Sequence, residues 1–289
     1  MANRSARLER VRNALSFTDC DALLVTNLTN VLYLTGFSGT NAQLLVTPSS
    51  AVFFSDPRYE ARAADLVEEA DIHIYRDKLT DVLGDHLQKA NVAKLGIEAE
   101  TVTVGELDRL GERLPGVRLE WTQGLIEKVR RAKDPEEIAL IRRAVELADE
   151  AFTWALDRIV PGVTERELAL DLEVKMRQSG ADDVSFEPIV GGGIHSAHIH
   201  HSPSERAAEK GDLILIDMGA RFQGYCSDLT RTVVLGPATD DQRRIYGLVL
   251  EAQAAGIRAI SAGASGRDVD ARAREVITEA GYGDEFGHG

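Results

Sequence analysis

Cysteine is almost missing from this chain: 289 residues carry only Cys20 and Cys226, far apart in sequence. Two such residues build no disulfide framework, so packing has to hold the fold. Long hydrophobic runs are missing too. No stretch approaches the roughly 18 apolar residues that a membrane-spanning helix needs, and no membrane partner is expected. Basic charge is scarce, with 33 Lys and Arg against 47 Asp and Glu and a formal net charge of −14. A nucleic-acid backbone or an anionic membrane would ask for a basic patch, so neither is expected as a partner. The start Met1-Ala2-Asn3-Arg4 lacks the apolar segment of a secretory signal, which sets the expectation of a cytoplasmic protein.

Apolar residues make up 44% of the sequence, enough for sizeable cores, and the length predicts two domains. Residues 1–125 alternate helix-like and strand-like segments as an α/β domain does. Arg4–Leu15 places Leu8, Val11 and Leu15 on one helical side, and Ala22–Val25, Gln43–Val46, Ala51–Phe54, Asp71–Tyr75 and Lys94–Ile97 read as strands. Residues 126–289 form the second domain. Asp134-Pro135 with Glu137 is a capping box with proline at the first helical position, and Thr164-x-x-Glu167 opens the next helix. After Thr239 the order of two helices starts again, which reads as an internal duplication.

The stretch Phe186–Gly236 carries the chemistry. Leu213-Ile214-Leu215-Ile216 reads as a strand buried on both faces, and it ends on Asp217. A second strand from about Tyr225 to Leu235 carries Asp228. With a two-residue loop at Phe222-Gln223, Asp217 and Asp228 stand directly opposite on one face, where like charges destabilise the ladder. Across about 4 Å at an effective dielectric of about 20 the repulsion is about 4 kcal/mol, so a hard divalent cation is expected to compensate. A pair of solvated turn carboxylates and a dyad sharing one proton are the alternatives.

These residues resemble a known family. The succession Phe186-x-Pro188-Ile189-Val190, the glycine-rich turn, Ser196-Ala197, His200, Gly211-Asp212, Asp217-x-Gly219, Gly224-Tyr225 and Ser227-Asp228-x-Thr230-Arg231-Thr232 resembles the pita-bread metallopeptidases of the Xaa-Pro aminopeptidase and prolidase branch. Tyr33-Leu34-Thr35-Gly36-Phe37 and Asp56-Pro57-Arg58-Tyr59 are similar to the amino-terminal domain of that family. The resemblance implies a creatinase-like α/β domain followed by an α+β pita-bread domain. It also implies two divalent metal ions, manganese first with cobalt or zinc as options, held by Asp217 and Asp228. His200 would serve in catalysis, and His288 would line the proline pocket.

Departures from the pattern are His195 where asparagine is usual and Ile199 where proline is usual, and His198 is also unusual. The resulting run His195, His198, His200, His201 is expected to be a solvated loop and not a second metal site. The family completes its metal site with a later His and two Glu. The sequence stops at Phe286-Gly287-His288-Gly289 before them, so it is expected to be a piece of a longer protein with an incomplete pita-bread domain. The implied activity is metal-dependent removal of the first residue from Xaa-Pro peptides by a homodimer. Alternatives are a non-catalytic interaction protein of the same fold and a creatinase-type amidinohydrolase, the latter disfavoured by the two aspartates.

Overall fold

The computed structural model describes residues 4–287. The chain divides into two units, Met1–Leu140 and Ile141–Gly289, with the division inside one long helix. In the first unit the strands are β1 (Ala22–Val25), β2 (Gln43–Val46), β3 (Ala51–Ser55), β4 (Asp71–Ile74), β5 (Lys94–Glu98) and β6 (Arg118–Thr122). The helices are α1 (Arg4–Leu15), α2 (Leu28–Thr35), α3 (Glu60–Leu66), α4 (Leu79–Lys89), α5 (Val104–Arg113) and α6 (Leu125–Arg131). They build one mixed sheet in the order β4-β3-β2-β1-β5-β6.

Both faces of that sheet are covered, which is why β1 reads as the unbroken apolar run Ala22-Leu23-Leu24-Val25. Leu23 and Val25 pack with Leu8, Val11 and Leu15 of α1 on one face. Ala22 and Leu24 pack with Leu83 and Leu87 of α4 on the other. The segment Val31–Leu34 belongs to α2, whose Asn27 cap accepts from the Thr29 amide and whose end is set by Gly36 in the left-handed conformation. Strand β6 and helix α6 complete the unit.

The second unit is entered along α7 (Pro135–Leu156). Asp134 caps it as the sequence predicts: Oδ1 accepts the amides of Glu136 and Glu137, and Glu137 accepts the Asp134 amide. There follow α8 (Glu165–Gln178), β7 (Asp183–Val184), β8 (Ile189–Gly192), β9 (Leu213–Met218), β10 (Ala220–Phe222), β11 (Tyr225–Cys226), β12 (Leu229–Val234), α9 (Asp240–Ala259) and α10 (Gly266–Glu279). The strands form two small sheets, β12-β9-β8 and β11-β10-β7.

Strand β9 is buried on one face only. Ile214, Ile216 and Met218 sit in a core with Leu147 and Ala151 of α7 and Leu168, Leu172 and Met176 of α8. Leu213, Leu215 and Asp217 alternate with them on a half-buried face. The expectation of burial on both faces is thus corrected: an antiparallel sheet covered by helices on one side suffices for an apolar run.

The hairpin register also differs from the expected one. Phe222 pairs with Tyr225 and Arg221 with Cys226, so the loop is Gln223-Gly224. Its two residues have φ of 48° and 83°, the positive values that a two-residue hairpin loop demands at both positions. A loop at Phe222-Gln223 would have forced phenylalanine into that region. Asp217 therefore faces Thr230 and not Asp228. Asp228 stands two places before Thr230, at the break between β11 and β12, and its carboxylate still acts on that of Asp217.

Candidate active site

Between Met218 and Ala220 the hairpin passes from one small sheet to the other, and Gly219 makes the passage possible. A Cβ there would lie 2.0 Å from the Ser227 carbonyl oxygen. The partner strand is interrupted at the same level, between Cys226 and Leu229, and Asp228 occupies that interruption, exposed to solvent. Asp217 sits one residue from the end of β9, half-buried, with its Oδ1 enclosed and without a hydrogen-bond partner.

The electrostatics join three of the residues singled out by sequence. Burial pushes the Asp217 carboxyl above its ordinary range; a hydrogen bond from Thr230 opposes this, the Asp228 carboxylate adds to the upward push and His200 counters it. His200 is exposed on the loop between β8 and β9. The side-by-side opposition that a proton-sharing dyad uses is missing, because Thr230 stands across from Asp217. A hard divalent cation fits what remains. An enclosed carboxylate oxygen with no donor, a second carboxylate beside it and all-oxygen chemistry are the ligands such ions take. His288 lies outside the described residues.

A second cluster was not legible in the sequence. Glu165, at the first turn of α8, is buried, and its carboxylate accepts five hydrogen bonds. Oε1 takes the Gly192 amide and His195 Nδ1, both at 2.8 Å. Oε2 takes the Ser204 amide at 3.0 Å, Ser204 Oγ at 2.6 Å and His201 Nε2 at 2.8 Å. Burial alone pushes this carboxyl up, yet the donors outweigh it and hold it at about 2. The capping box on Thr164 accounts for Glu167 and leaves Glu165 looking like any acidic residue of a first turn. The histidine loop is thus anchored and not simply solvated.

The anchoring has a backbone component. The Glu165 amide donates to the Arg206 carbonyl and the Arg166 amide to the Ser204 carbonyl. Arg206 reaches back to Asp212 at 2.8 Å, which closes the loop just ahead of β9. His200 therefore projects from a segment tied down on both sides. In the first unit, Arg58 makes two 2.8 Å bonds to Asp56, the cap of the short helical turn at Pro57–Tyr59, as a structural role requires.

Comparison with known proteins bears on the fold and the family. Residues 7–132 match the creatinase/prolidase N-terminal domain and residues 139–289 match metallopeptidase family M24. An Xaa-Pro dipeptidase of Pyrococcus horikoshii is 34% identical over 284 residues, covering 97% of this chain and 79% of that protein. A Bacillus subtilis relative, the uncharacterized peptidase YqhT, is 36% identical over 282 residues, 98% of this chain and 80% of its own length. The solved structure of an Xaa-Pro dipeptidase from Bacillus anthracis aligns with a TM-score of 0.95 at 37% identity, covering 99% of this chain and 80% of that one. With both of its domains matched and the half that carries Asp217, Asp228 and His200 assigned as a peptidase, this chain belongs to metallopeptidase family M24.

Proposed function

We propose that this peptidase removes the first residue from peptides with proline in second place, Xaa-Pro dipeptides or longer, as a cytoplasmic homodimer. The observation that carries the metal-dependent part is the enclosed Asp217 Oδ1 without a partner, next to Asp228 and His200. The names of the relatives support the substrate class. A proline nitrogen in the scissile bond has no N–H and fixes the backbone, so recognition by extended-strand pairing fails and the site has to act on the carbonyl and the free amino terminus.

Asp217 and Asp228 would hold two divalent ions, manganese in preference to cobalt or zinc. Bound there, the metal supplies Lewis-acid polarisation and a water of lowered pKa. Asp228 is exposed at the strand break, whereas Asp217 offers one enclosed oxygen and spends the other on Thr230. His200, on its tethered loop, donates a hydrogen bond to the carbonyl oxygen of the scissile bond as negative charge builds there. His288 is proposed to line the proline pocket.

The test is calorimetric titration of the chain with manganese, parent against Asp228→Asn, together with hydrolysis of Ala-Pro against Ala-Ala by the full-length gene product before and after chelation. Metal binding lost in the variant and chelator-sensitive cleavage of Ala-Pro are expected. Unchanged stoichiometry in Asp228→Asn removes that residue from the site. Metal binding without turnover turns the reading to a non-catalytic interaction protein.

A further inference from the structure

The cluster around Glu165 presents more donors than its carboxylate can use. Five of them converge on roughly four lone-pair positions, and none comes from the aspartate pair. Three are fixed by the backbone or by a short side chain, namely the Gly192 amide and the two groups of Ser204. The other two are imidazole nitrogens, and those are equally able to turn a lone pair inward. One ligand atom from each of Glu165, His195 and His201 lies within 4.8 Å of the other two. The imidazole rings are 4.4 Å apart between centroids, and the His198 ring stands 5.8 Å from one and 5.9 Å from the other.

We propose that Glu165, His195 and His201 form a mononuclear site for a zinc-like divalent ion, distinct from the aspartate pair, with exposed His198 or water as fourth ligand. Tetrahedral zinc holds nitrogen at about 2.0–2.1 Å and carboxylate oxygen at about 2.0–2.2 Å, which puts its ligand atoms roughly 3.3–3.5 Å apart. The 2.8 Å contacts run one to each carboxylate oxygen, so each nitrogen–oxygen pair opens by about half an ångström to reach that spacing while the ligand atoms, already within 4.8 Å of one another, close around the ion. The two imidazoles then trade their N–H bonds to Glu165 for bonds to the ion. The carboxylate keeps the Gly192 and Ser204 donors, which is the outer layer of hydrogen bonds that ligating carboxylates characteristically carry.

Two imidazoles and one carboxylate select zinc, nickel or cobalt over magnesium and calcium. Burial of Glu165 at 4% exposure places a charged ligand where water competes poorly. Because His201 adjoins His200, an ion here also pins the loop from which His200 projects.

The test removes the other site first. The Asp217→Asn/Asp228→Asn chain is titrated calorimetrically with zinc and, in parallel, with cobalt followed by its visible ligand-field absorption. One ion per chain is expected to remain. His195→Asn, which keeps a donor for Glu165, is expected to abolish it, and Ser204→Ala to weaken it about 10–100-fold. In the unmodified chain His195→Asn should lower the zinc stoichiometry by one, which covers the case of a misfolded double variant. No retained ion, or an ion indifferent to both His195→Asn and His201→Asn, overturns the proposal and leaves Glu165 as a hydrogen-bonding anchor. Neither readout depends on peptidase activity.

Discussion

A single methyl group added at Gly219 tests the corner on which the aspartate pair depends. In Gly219→Ala the new Cβ would lie 2.0 Å from the Ser227 carbonyl oxygen, 2.8 Å from Ser185 Oγ and 2.9 Å from Ser185 Cβ. The Ser185 hydroxyl can turn away only by giving up its 3.0 Å bond to the Ala220 carbonyl, and its Cβ does not move with that turn. The Ser227 carbonyl is held as well, because the Ser227 amide donates to Ala220 O at 2.9 Å and Ser227 Oγ accepts the Ala220 amide at 3.0 Å. Relieving the contact to the 3.0 Å below which Cβ atoms essentially never approach means parting the strands by about 1 Å. That displacement falls between Asp217 and Asp228.

Overpacking of this kind costs about 1–3 kcal/mol, and a backbone obstacle places it at about 3. The control is Gly247→Ala inside α9, where the added Cβ meets nothing within 4 Å and helix propensity should stabilise by about 0.5–1 kcal/mol. Urea unfolding read by Trp154 fluorescence, in a Trp121→Phe background that leaves Trp154 the only indole, measures both changes. Manganese affinity of the Gly219 variant should fall in parallel. A Gly219→Ala chain within about 0.5 kcal/mol of its parent, binding manganese as tightly, would refute the claim that this close approach sets the spacing of the two carboxylates.

The ion pair that closes the histidine loop should give a pH signature. The hydrogen bond from Arg206 holds the Asp212 carboxyl below its ordinary 3.8, so the folded state binds fewer protons there than the unfolded state. Its contribution is therefore fully present above that value and is lost as pH falls through the lower folded one. Asp212→Asn should be destabilised near neutrality, with the deficit shrinking in thermal scans as the pH drops below 3.8, and a deficit that stays constant would contradict the assignment. His200→Ala in the full-length protein should retain manganese and lose turnover by about 10²–10⁴, as groups that assist proton transfer or hydrogen-bond the reacting oxygen do. His201→Ala is the comparison, and a cripplingly slow His201 variant beside a normal His200 variant would show that the active imidazole is the anchored one.

By itself the sequence determined the elements whose causes are local. The capping boxes at Asp134 and Thr164 start helices where they predict, since a side chain and an amide three residues away settle the matter between them. It also determined that a hairpin brings Asp228 near enough to Asp217 for the two carboxylates to interact. The direct opposition of the two aspartates did not survive. The turn decided it, since Gln223-Gly224 tolerates positive φ at both positions and Phe222-Gln223 does not. Only tertiary structure decided that β9 has one half-buried face, because coverage of a sheet is a property of helices far away in the chain. The same holds for Glu165. Nothing local distinguishes it from a solvated first-turn acid, and it becomes a buried anchor because the returning loop brings His195, His201 and Ser204 from some thirty to forty residues downstream onto one carboxylate.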